Sequence, residues 1–285
     1  GGGIVPPMSR IHDVAILGAC PAGLAAAYHL ARSGLDTVIV DGPHQATESP
    51  LADWAPAALF RLPGLPKGLL RNAGALRFQR VCFHDAAMAR SAEYRARGPA
   101  GYLLSAGRLG QALRAAACKA GARVRPSGTP PAIELTEDAV RLLGTTQVRA
   151  RLLLIVHNRP SDVLADLALP TRGRAGTPLT VAALDVPLPA TPLRRGVAGA
   201  LHVVGTGEQS ELGLFFQARG VLHLRIISGS RASGNRAKEL SAMVAAGQQA
   251  GVFPADLPLG RAKGAVWSPP AGAALEVESH VAKRC

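Results

Sequence analysis

The stretch that decides the fold lies near the start of the chain and reads Asp13-Val-Ala-Ile-Leu-Gly18-Ala-Cys20-Pro-Ala-Gly23-Leu-Ala-Ala-Ala-Tyr-His-Leu-Ala-Arg-Ser-Gly-Leu-Asp-Thr37-Val-Ile-Val-Asp41. Residues 14–17 are a short apolar run, typical of a buried parallel strand. Residues 18–23 form a tight turn, and residues 24–31 suit a helix that packs closely on a sheet. A second apolar strand, residues 37–40, ends at an acid. The pattern therefore predicts the first strand–helix–strand unit of a Rossmann-like parallel sheet.

The turn has the features of a dinucleotide-binding fingerprint, because it sets backbone and a helix N-terminus where a pyrophosphate binds. Asp41 follows Gly23 by 18 residues, where an acid accepts hydrogen bonds from a ribose. We predict cofactor contacts from Asp41 and from the turn residues Gly18, Cys20, Pro21, Ala22 and Gly23. Cys20 departs from the Gly-x-Gly-x-x-Gly pattern, whose central glycine lets phosphate approach the backbone. The alternative is a Rossmann-type unit that packs normally and binds no dinucleotide.

Composition excludes several classes of protein. The 285 residues carry a formal net charge of +13, but arginine is spread along a chain that is also rich in Ala, Gly and Pro. This favours a compositional bias over a nucleic-acid partner. The four scattered cysteines form no Cys-x-x-Cys pair, so we expect no metal site and a reducing cytoplasm. We expect neither a signal peptide nor a transmembrane segment, since no apolar run is long enough.

Changes in composition along the chain predict its domains. Residues 1–12 are a leader, and residues 13–175 form the FAD/NAD(P)-binding domain with an irregular, proline-rich excursion at 42–76. Residues 176–230 are predicted to form a mostly antiparallel sheet that serves as a substrate domain. Residues 231–285 contain a helix and a return segment toward the first domain. Within the first domain we predict a helix over 108–120, a meander over 132–149 and a buried parallel strand over 151–156.

Three segments in this order resemble the FAD-dependent oxidoreductases that include aromatic-ring hydroxylases of the para-hydroxybenzoate hydroxylase type and the geranylgeranyl reductases. They are the turn with Asp41, then Gly107-Arg108-Leu109-Gly-Gln111-Ala-Leu113, then Ala150-Arg-Leu-Leu-Leu-Ile-Val-His-Asn-Arg-Pro-Ser161. The resemblance implies an α/β fold, in which an antiparallel substrate domain is inserted into an FAD-binding parallel sheet. It also implies that Arg108 lies near the flavin and its pyrophosphate, and that Gln111 faces the cofactor.

The chain departs from that family at two further points. His157 and Asn158 stand where the family has Asp-Gly, in a loop that the resemblance places close to the cofactor's pyrophosphate. His157 replaces the carboxylate and is predicted to donate a hydrogen bond to phosphate. The family also continues into a strand and a Gly-Asp turn that binds the flavin, whereas this sequence stops at Cys285. We therefore expect a truncated sheet with an unpaired edge and exposed apolar surface.

These observations predict an FAD-dependent oxidoreductase, monooxygenase-like or reductase-like, that acts on a small organic substrate with NAD(P)H as the candidate electron donor. Flavin carries the redox chemistry, so the sequence need not supply a catalytic acid or base. The histidines are dispersed, and each is interpreted as a surface or structural residue. One alternative is a truncated or degenerate relative that keeps the fold but binds flavin weakly. A second is an NAD-binding dehydrogenase, since Asp41 suits either ribose.

Overall fold

A computed structural model describes residues 10–41, 54–127, 131–144, 147–156, 180–188, 197–205, 211–229 and 236–267. The helices in these ranges are α1 (Pro21–Arg32), α2 (Leu69–Asn72), α3 (Ala106–Lys119) and α4 (Arg236–Gln249). The strands are β1 (Ile11–Leu17), β2 (Thr37–Asp41), β3 (Trp54–Pro56), β4 (Leu76–Phe78), β5 (Arg80–His84), β6 (Ser91–Arg95), β7 (Gly101–Leu103), β8 (Arg123–Pro126), β9 (Ala132–Leu135), β10 (Val140–Leu143), β11 (Val148–Ile155), β12 (Thr180–Pro187), β13 (Ala200–Gly205), β14 (Glu211–Ala218), β15 (Val221–Ser228) and β16 (Lys263–Trp267).

The chain divides into two compact units. The first takes the described residues of 1–48, 60–75 and 104–171, and the second takes those of 49–59, 76–103 and 172–285. β5 and β6 fall in the second unit, although residues 80–95 lie within the range that sequence analysis assigned to the cofactor-binding domain. The domain boundaries inferred from sequence stay predictions.

The first unit is built on a sheet with the strand order β8-β2-β1-β11-β10-β9. β8, β2, β1 and β11 are parallel, and β10 and β9 are antiparallel to their neighbours. On one face, Ile16 and Ile39 are fully buried against Leu24 of α1 and Leu113 of α3. The α/β fold with a Rossmann-like parallel sheet is therefore confirmed.

β11 differs from its prediction in extent and burial. The last meander strand and the apolar run 151–156 are not separate, because β11 is continuous and pairs with β10 through its first half and with β1 along most of its length. Leu152 is 65% exposed, and Leu154 is 38% exposed. Both pair with core residues of β1, but the packing of α1 and α3 is centred on β1 and β2. The prediction of a fully buried strand was wrong.

The second unit is built on a sheet with the strand order β16-β12-β15-β14-β13-β5-β6. Every neighbouring pair is antiparallel except β13 with β5, so the mostly antiparallel sheet is confirmed. Arg219 and Gly220 both have positive φ, at 53° and 76°, as a two-residue hairpin turn of the primed type requires. β16 was not anticipated, because its residues 263–267 lie within the stretch that was interpreted only as a proline- and glycine-rich return segment.

Helix α4 covers one face of this sheet. Its residues Leu240, Met243 and Val244 pack against Phe215 and Ile226 in the core. The opposite face carries a second apolar cluster, in which Phe216 and Leu201 meet Phe78 and Leu103. Phe78 and Leu103 belong to a small sheet of strand order β3-β7-β4. In the described ranges, no helix is long and apolar enough to cross a membrane.

A charged cluster ties together the amino ends of three parallel strands in the first unit. Asp36 precedes β2, and its carboxylate pairs with Arg123 of β8. Its Oδ2 lies 3.0 Å from Nε of Arg10 and 3.2 Å from Nδ1 of His12. Burial works to raise the pKa of Asp36, but the hydrogen bonds from Arg123 and His12 outweigh it, so the pKa lies below its ordinary value. The charged form is therefore favoured by folding.

We expect Asp36→Asn to lower the free energy of unfolding by about 1–2 kcal/mol at pH 7, because the arginines lose a charged partner. A depressed pKa contributes stability above its unfolded value and loses it as pH falls through the folded value. The difference between the variant and the wild type should therefore narrow below about pH 4. Urea unfolding at several pH values measures this.

The control for this experiment is Glu134→Gln, which removes a pair with Arg141 whose side chains are 49% and 41% exposed. Such surface pairs contribute little to stability. An equal effect of both variants would show that the Asp36 cluster does not stabilise the sheet. A difference that does not change with pH would show that the charge of Asp36 is not the source of its contribution.

Candidate functional site

The fingerprint turn is held by close backbone packing. Gly18 has a φ of 114°, which a side chain rarely allows, and its N–H donates to the carbonyl of Val40 at 3.0 Å. Gly23 is buried in the first turn of α1, and a Cβ there would lie 2.2 Å from the carbonyl oxygen of Gly18. Helix α1 can approach the end of β1 this closely only because position 23 is glycine. Its N-terminus is thereby set beside the turn, as pyrophosphate binding requires.

Cys20 is the N-cap residue of α1, and Pro21 is its first helical residue. Proline suits this position, since its missing N–H would have no helical partner. The Cys20 side chain caps no helix N–H. Its thiol instead lies 3.6 Å from the carbonyl oxygen of Val156, to which it donates. The thiol therefore contacts the end of β11. The Cβ of Cys20 still occupies space that is empty in proteins with glycine at this position.

Asp41 ends β2, as predicted, and its carboxylate pairs with Arg114 of α3 through Oδ2. The side chain is 32% exposed. Within the described ranges, Oδ1 accepts no hydrogen bond. The backbone carbonyl of Asp41 accepts from the N–H of Ser127 at 2.7 Å, which holds the strand end in place. Arg114 therefore orients the carboxylate through one oxygen and leaves the other without a partner in these ranges.

Arg108 and Gln111 lie elsewhere, on the exposed surface of α3. They line a cavity of about 1180 Å³ that is bounded by α1, α3 and residues 66–72, and that has no lining residue from the fingerprint turn or Asp41. Ser105 caps α3 by accepting from the N–H of Arg108 at 3.2 Å. The roles predicted for Arg108 and Gln111 toward a flavin stay predictions. His157 and Asn158 lie outside the described residues.

The residues that are described fit a dinucleotide pyrophosphate with one departure. The glycine cradle at Gly18 and Gly23 brings the turn and helix N-terminus together, and Asp41 offers an oxygen. The departure is Cys20, whose side chain narrows the approach to the backbone. The pairing of Asp41 with Arg114 could not be read from the sequence, because 73 residues separate them.

Sequence analysis missed a polar cluster on the second sheet, on the face away from α4. Asp185 of β12 accepts from Nδ1 of His223 at 2.9 Å and from Nη1 of Arg225 at 2.6 Å, both on β15. The Arg225 side chain is only 6% exposed, and the His223 ring stacks on Phe216 at 4.8 Å. Burial works to raise the pKa of Asp185, but hydrogen bonds from His223 and Arg225 lower it overall. The signal in the sequence was His-x-Arg in an otherwise apolar strand.

Two histidines that sequence analysis read as dispersed are neighbours in the structure. Nε2 of His84 lies 2.9 Å from Nδ1 of His202, and His202 stacks on Phe215 at 4.3 Å. Nε2 of His202 donates to the carbonyl of Val197 at 3.3 Å, so its Nδ1 accepts and His84 donates. Burial lowers the pKa of His202 to about 4. Since the pKa of His84 is also lowered by burial, the pair is neutral near pH 7.

Comparisons with solved structures place this fold among known flavoprotein architectures. A geranylgeranyl bacteriochlorophyll reductase-like protein from Thermoplasma acidophilum matches with a TM-score of 0.65 at 16% identity, over 91% of this chain and 66% of that protein. The p-nitrophenol 4-monooxygenase PnpA from Pseudomonas putida matches with a TM-score of 0.66 at 16% identity, over 90% and 68%. Aklavinone-11 hydroxylase, in a ternary complex with FAD and aklavinone, matches with a TM-score of 0.64 at 19% identity, over 92% and 54%.

At these identities the similarity shows the fold, and the resemblance inferred from the three sequence segments is confirmed at that level. This chain spans about two thirds or less of the length of these proteins. No protein-family model and no curated protein matches the sequence.

Proposed function

We propose that this chain belongs to an FAD-dependent oxidoreductase, monooxygenase-like or reductase-like, that acts in the cytoplasm on a small organic substrate with NAD(P)H as electron donor. The observation that carries the proposal is the close approach of Gly23 to Gly18, which leaves no room for a side chain. Backbone at Gly18, Ala22 and Gly23 would hold the pyrophosphate, and the Oδ1 atom of Asp41 would accept from a ribose. FAD, when bound, would supply the redox chemistry.

The substrate, in this proposal, contacts the sheet of the second unit on the face away from α4. The support is the cluster of Asp185, His223 and Arg225, which sets a half-buried carboxylate, an imidazole and a guanidinium side by side. Within the described ranges, Nε2 of His223 has no hydrogen-bond partner, so it is available to a ligand hydroxyl or carbonyl. Phe216 provides an apolar surface beneath the ring.

A weakly binding relative is the second candidate, and Cys20 favours it. If the Cβ at position 20 limits the approach of phosphate, then Cys20→Gly should tighten FAD binding by about tenfold, or about 1.4 kcal/mol. Titration of the apoprotein with FAD, followed by flavin fluorescence quenching and visible absorbance, measures both affinities. Binding by the wild type supports the enzyme, and binding only by Cys20→Gly supports the degenerate relative.

The matched control is Cys20→Ser, which keeps a side chain of similar size and is expected to leave FAD affinity unchanged. Failure of all three proteins to take up FAD would overturn the proposed function. Equal gains from the serine and glycine variants would instead show that the thiol itself, and not the space taken by its Cβ, limits binding.

A further inference from the structure

The edge of the second sheet at β6 is open. β6 is the last strand in the order β16-β12-β15-β14-β13-β5-β6, and among the described strands it pairs only with β5. All five of its residues, 91–95, are exposed. Natural proteins often protect such an edge with lysine, proline or a bulge. β6 has none of these, since its sequence is Ser-Ala-Glu-Tyr-Arg and its pairing with β5 is unbroken.

Two other edge strands do carry such protection. β16, at the opposite edge of the same sheet, begins at Lys263, and β8, at an edge of the first sheet, ends at Pro126. The β6 edge is therefore a surface on which a further strand can pair through backbone hydrogen bonds.

The hydrogen bonds that flank the β5–β6 hairpin show which backbone groups of β6 face outward. The N–H of Ala96 donates to the carbonyl of Gln79 at 2.9 Å, and the N–H of Asp85 donates to the carbonyl of Arg90 at 3.2 Å. In an antiparallel pair, such bonds involve every second residue. The even-numbered residues of β6 therefore bond to β5, and the odd-numbered residues direct their N–H and C=O groups to the open edge.

The side chains of β6 alternate between the two faces of the sheet. Tyr94 is 59% exposed, and it lies on the same face as Phe83 of β5, which is 49% exposed. Glu93 and Arg95 lie on the other face. The carboxylate of Glu93 is 3.3 Å from Nη1 of Arg80, and its side chain is still 44% exposed. The edge thus presents exposed aromatic rings together with charges of both signs, and aromatic side chains are enriched at protein interfaces.

The order of these residues makes the edge complementary to itself. Two antiparallel copies of β6 that pair about an axis at Glu93 set two glutamates opposite each other, and an axis at Arg95 sets two arginines opposite each other, which is unfavourable. Among the two-fold axes through residues 92–95, only the axis at Tyr94 sets unlike charges opposite each other. Glu93 of each copy then faces Arg95 of the other.

This register also agrees with the backbone. Glu93 and Arg95 both direct their N–H and C=O groups outward, so each can exchange two hydrogen bonds with the other in the second copy. The two Tyr94 residues then form a non-hydrogen-bonded pair, in which the side chains of opposite residues lie closest. Cross-strand aromatic pairs and opposite charges each stabilise an antiparallel pair.

We propose that β6 is the interface of a symmetric homodimer, in which two copies of this chain join their second sheets edge to edge with Tyr94 at the two-fold axis. The proposal goes beyond the proposed function and does not rest on flavin binding. One short strand from each copy makes a small interface, and small interfaces are typical of transient complexes. We therefore expect a dissociation constant of about 10 μM.

The test is sedimentation velocity of the full chain over a series of concentrations that brackets this value. The wild type should change from monomer to dimer. Arg95→Glu sets glutamates opposite each other at both ends of the pairing, and Glu93→Arg sets arginines there, so each should weaken dimerisation by about tenfold or more. An equimolar mixture of the two variants restores unlike charges at both ends. It should therefore form heterodimers about as tightly as the wild type forms dimers.

The matched control is Arg125→Glu, which makes the same charge change at an exposed position of the edge strand β8 and should leave the dissociation constant unchanged. Urea unfolding checks that each variant is folded, since Glu93→Arg also loses the contact with Arg80. If that variant did not fold, the comparison of Arg95→Glu with Arg125→Glu would still decide the outcome.

Four results would overturn the proposal. They are a wild type that stays monomeric at millimolar concentration, assemblies that grow beyond the dimer, equal effects of Arg95→Glu and Arg125→Glu, and a mixture of two folded charge variants that does not associate. The third result would show that the dimer uses another surface, and the fourth that the two β6 strands do not pair with Tyr94 at the axis.

Discussion

Replacement of Gly23 by alanine is expected to abolish FAD binding and to lower the free energy of unfolding by about 2–3 kcal/mol. The new Cβ would lie 2.2 Å from the carbonyl oxygen of Gly18, and that atom is backbone, which cannot rotate away. Helix α1 must then shift from β1, and overpacking of this kind costs about 1–3 kcal/mol. The same shift moves the helix N-terminus away from the turn. Urea unfolding and FAD titration of one preparation measure both effects.

The matched control for Gly23→Ala is Gly110→Ala, a glycine in the middle of α3. A Cβ at position 110 would meet no neighbouring atom within 4 Å, and alanine is favoured over glycine in a helix by about 1 kcal/mol. Gly110→Ala should therefore stabilise the protein slightly and leave FAD affinity unchanged. If Gly23→Ala unfolds at the same urea concentration as the wild type, then the close packing of Gly23 on Gly18 does not stabilise the turn.

The contrast between these glycines shows what the sequence could predict. The spacing of Gly18, Gly23 and Asp41 is local, since each residue's role follows from the strand, turn and helix that contain it. For that reason β1, β2, the turn and the helices α1 and α3 were predicted to within about three residues of their observed bounds. Conformation over a few residues is encoded by those residues, and a pattern of apolar and small side chains is sufficient to reveal it.

Contacts between distant segments could not be predicted in this way. Arg114 is one of many arginines in the chain, and only the packing of α3 beside β2 brings it to Asp41. β16 was not predicted because it is a strand only through its pairing with β12, for example between Ala183 and Ala265. The exposure of Leu152 likewise depends on which part of the sheet the helices cover. The residues around a position do not reveal such contacts, because the distant segment that pairs with or covers that position is not known from the sequence.

The polar cluster of the second sheet contains one feature that the sequence shows and one contact that it does not. His223 and Arg225 alternate on β15, so both side chains point to one face, and this much is visible in the sequence. Asp185 joins them through the register that sets it opposite His223. Without that register, His223 was interpreted as one of several dispersed surface or structural histidines. The proposed substrate contact therefore rests on the structure and not on the motif analysis.

Removal of Asp185 is expected to destabilise the second unit strongly. Asp185→Ala leaves the guanidinium of Arg225 without this carboxylate while its side chain stays only 6% exposed. Loss of one partner from a buried ion pair costs about 3–5 kcal/mol, because a buried charge remains. Asp185 itself is 40% exposed, so solvent screens part of the interaction, and we expect about 2–3 kcal/mol. Urea unfolding at pH 7 measures the change.

A double-mutant cycle with Arg225→Met separates the charge from the packing. Methionine fills much of the arginine volume without a charge, and buried ion pairs replaced by apolar residues often lose little stability. Asp185→Ala in the Arg225→Met background should therefore cost less than half of what it costs alone. Strictly additive losses would show that Asp185 does not act through Arg225. That result would also remove the support for a substrate contact here, because the proposal requires Arg225 and His223 to be held on the sheet by this carboxylate.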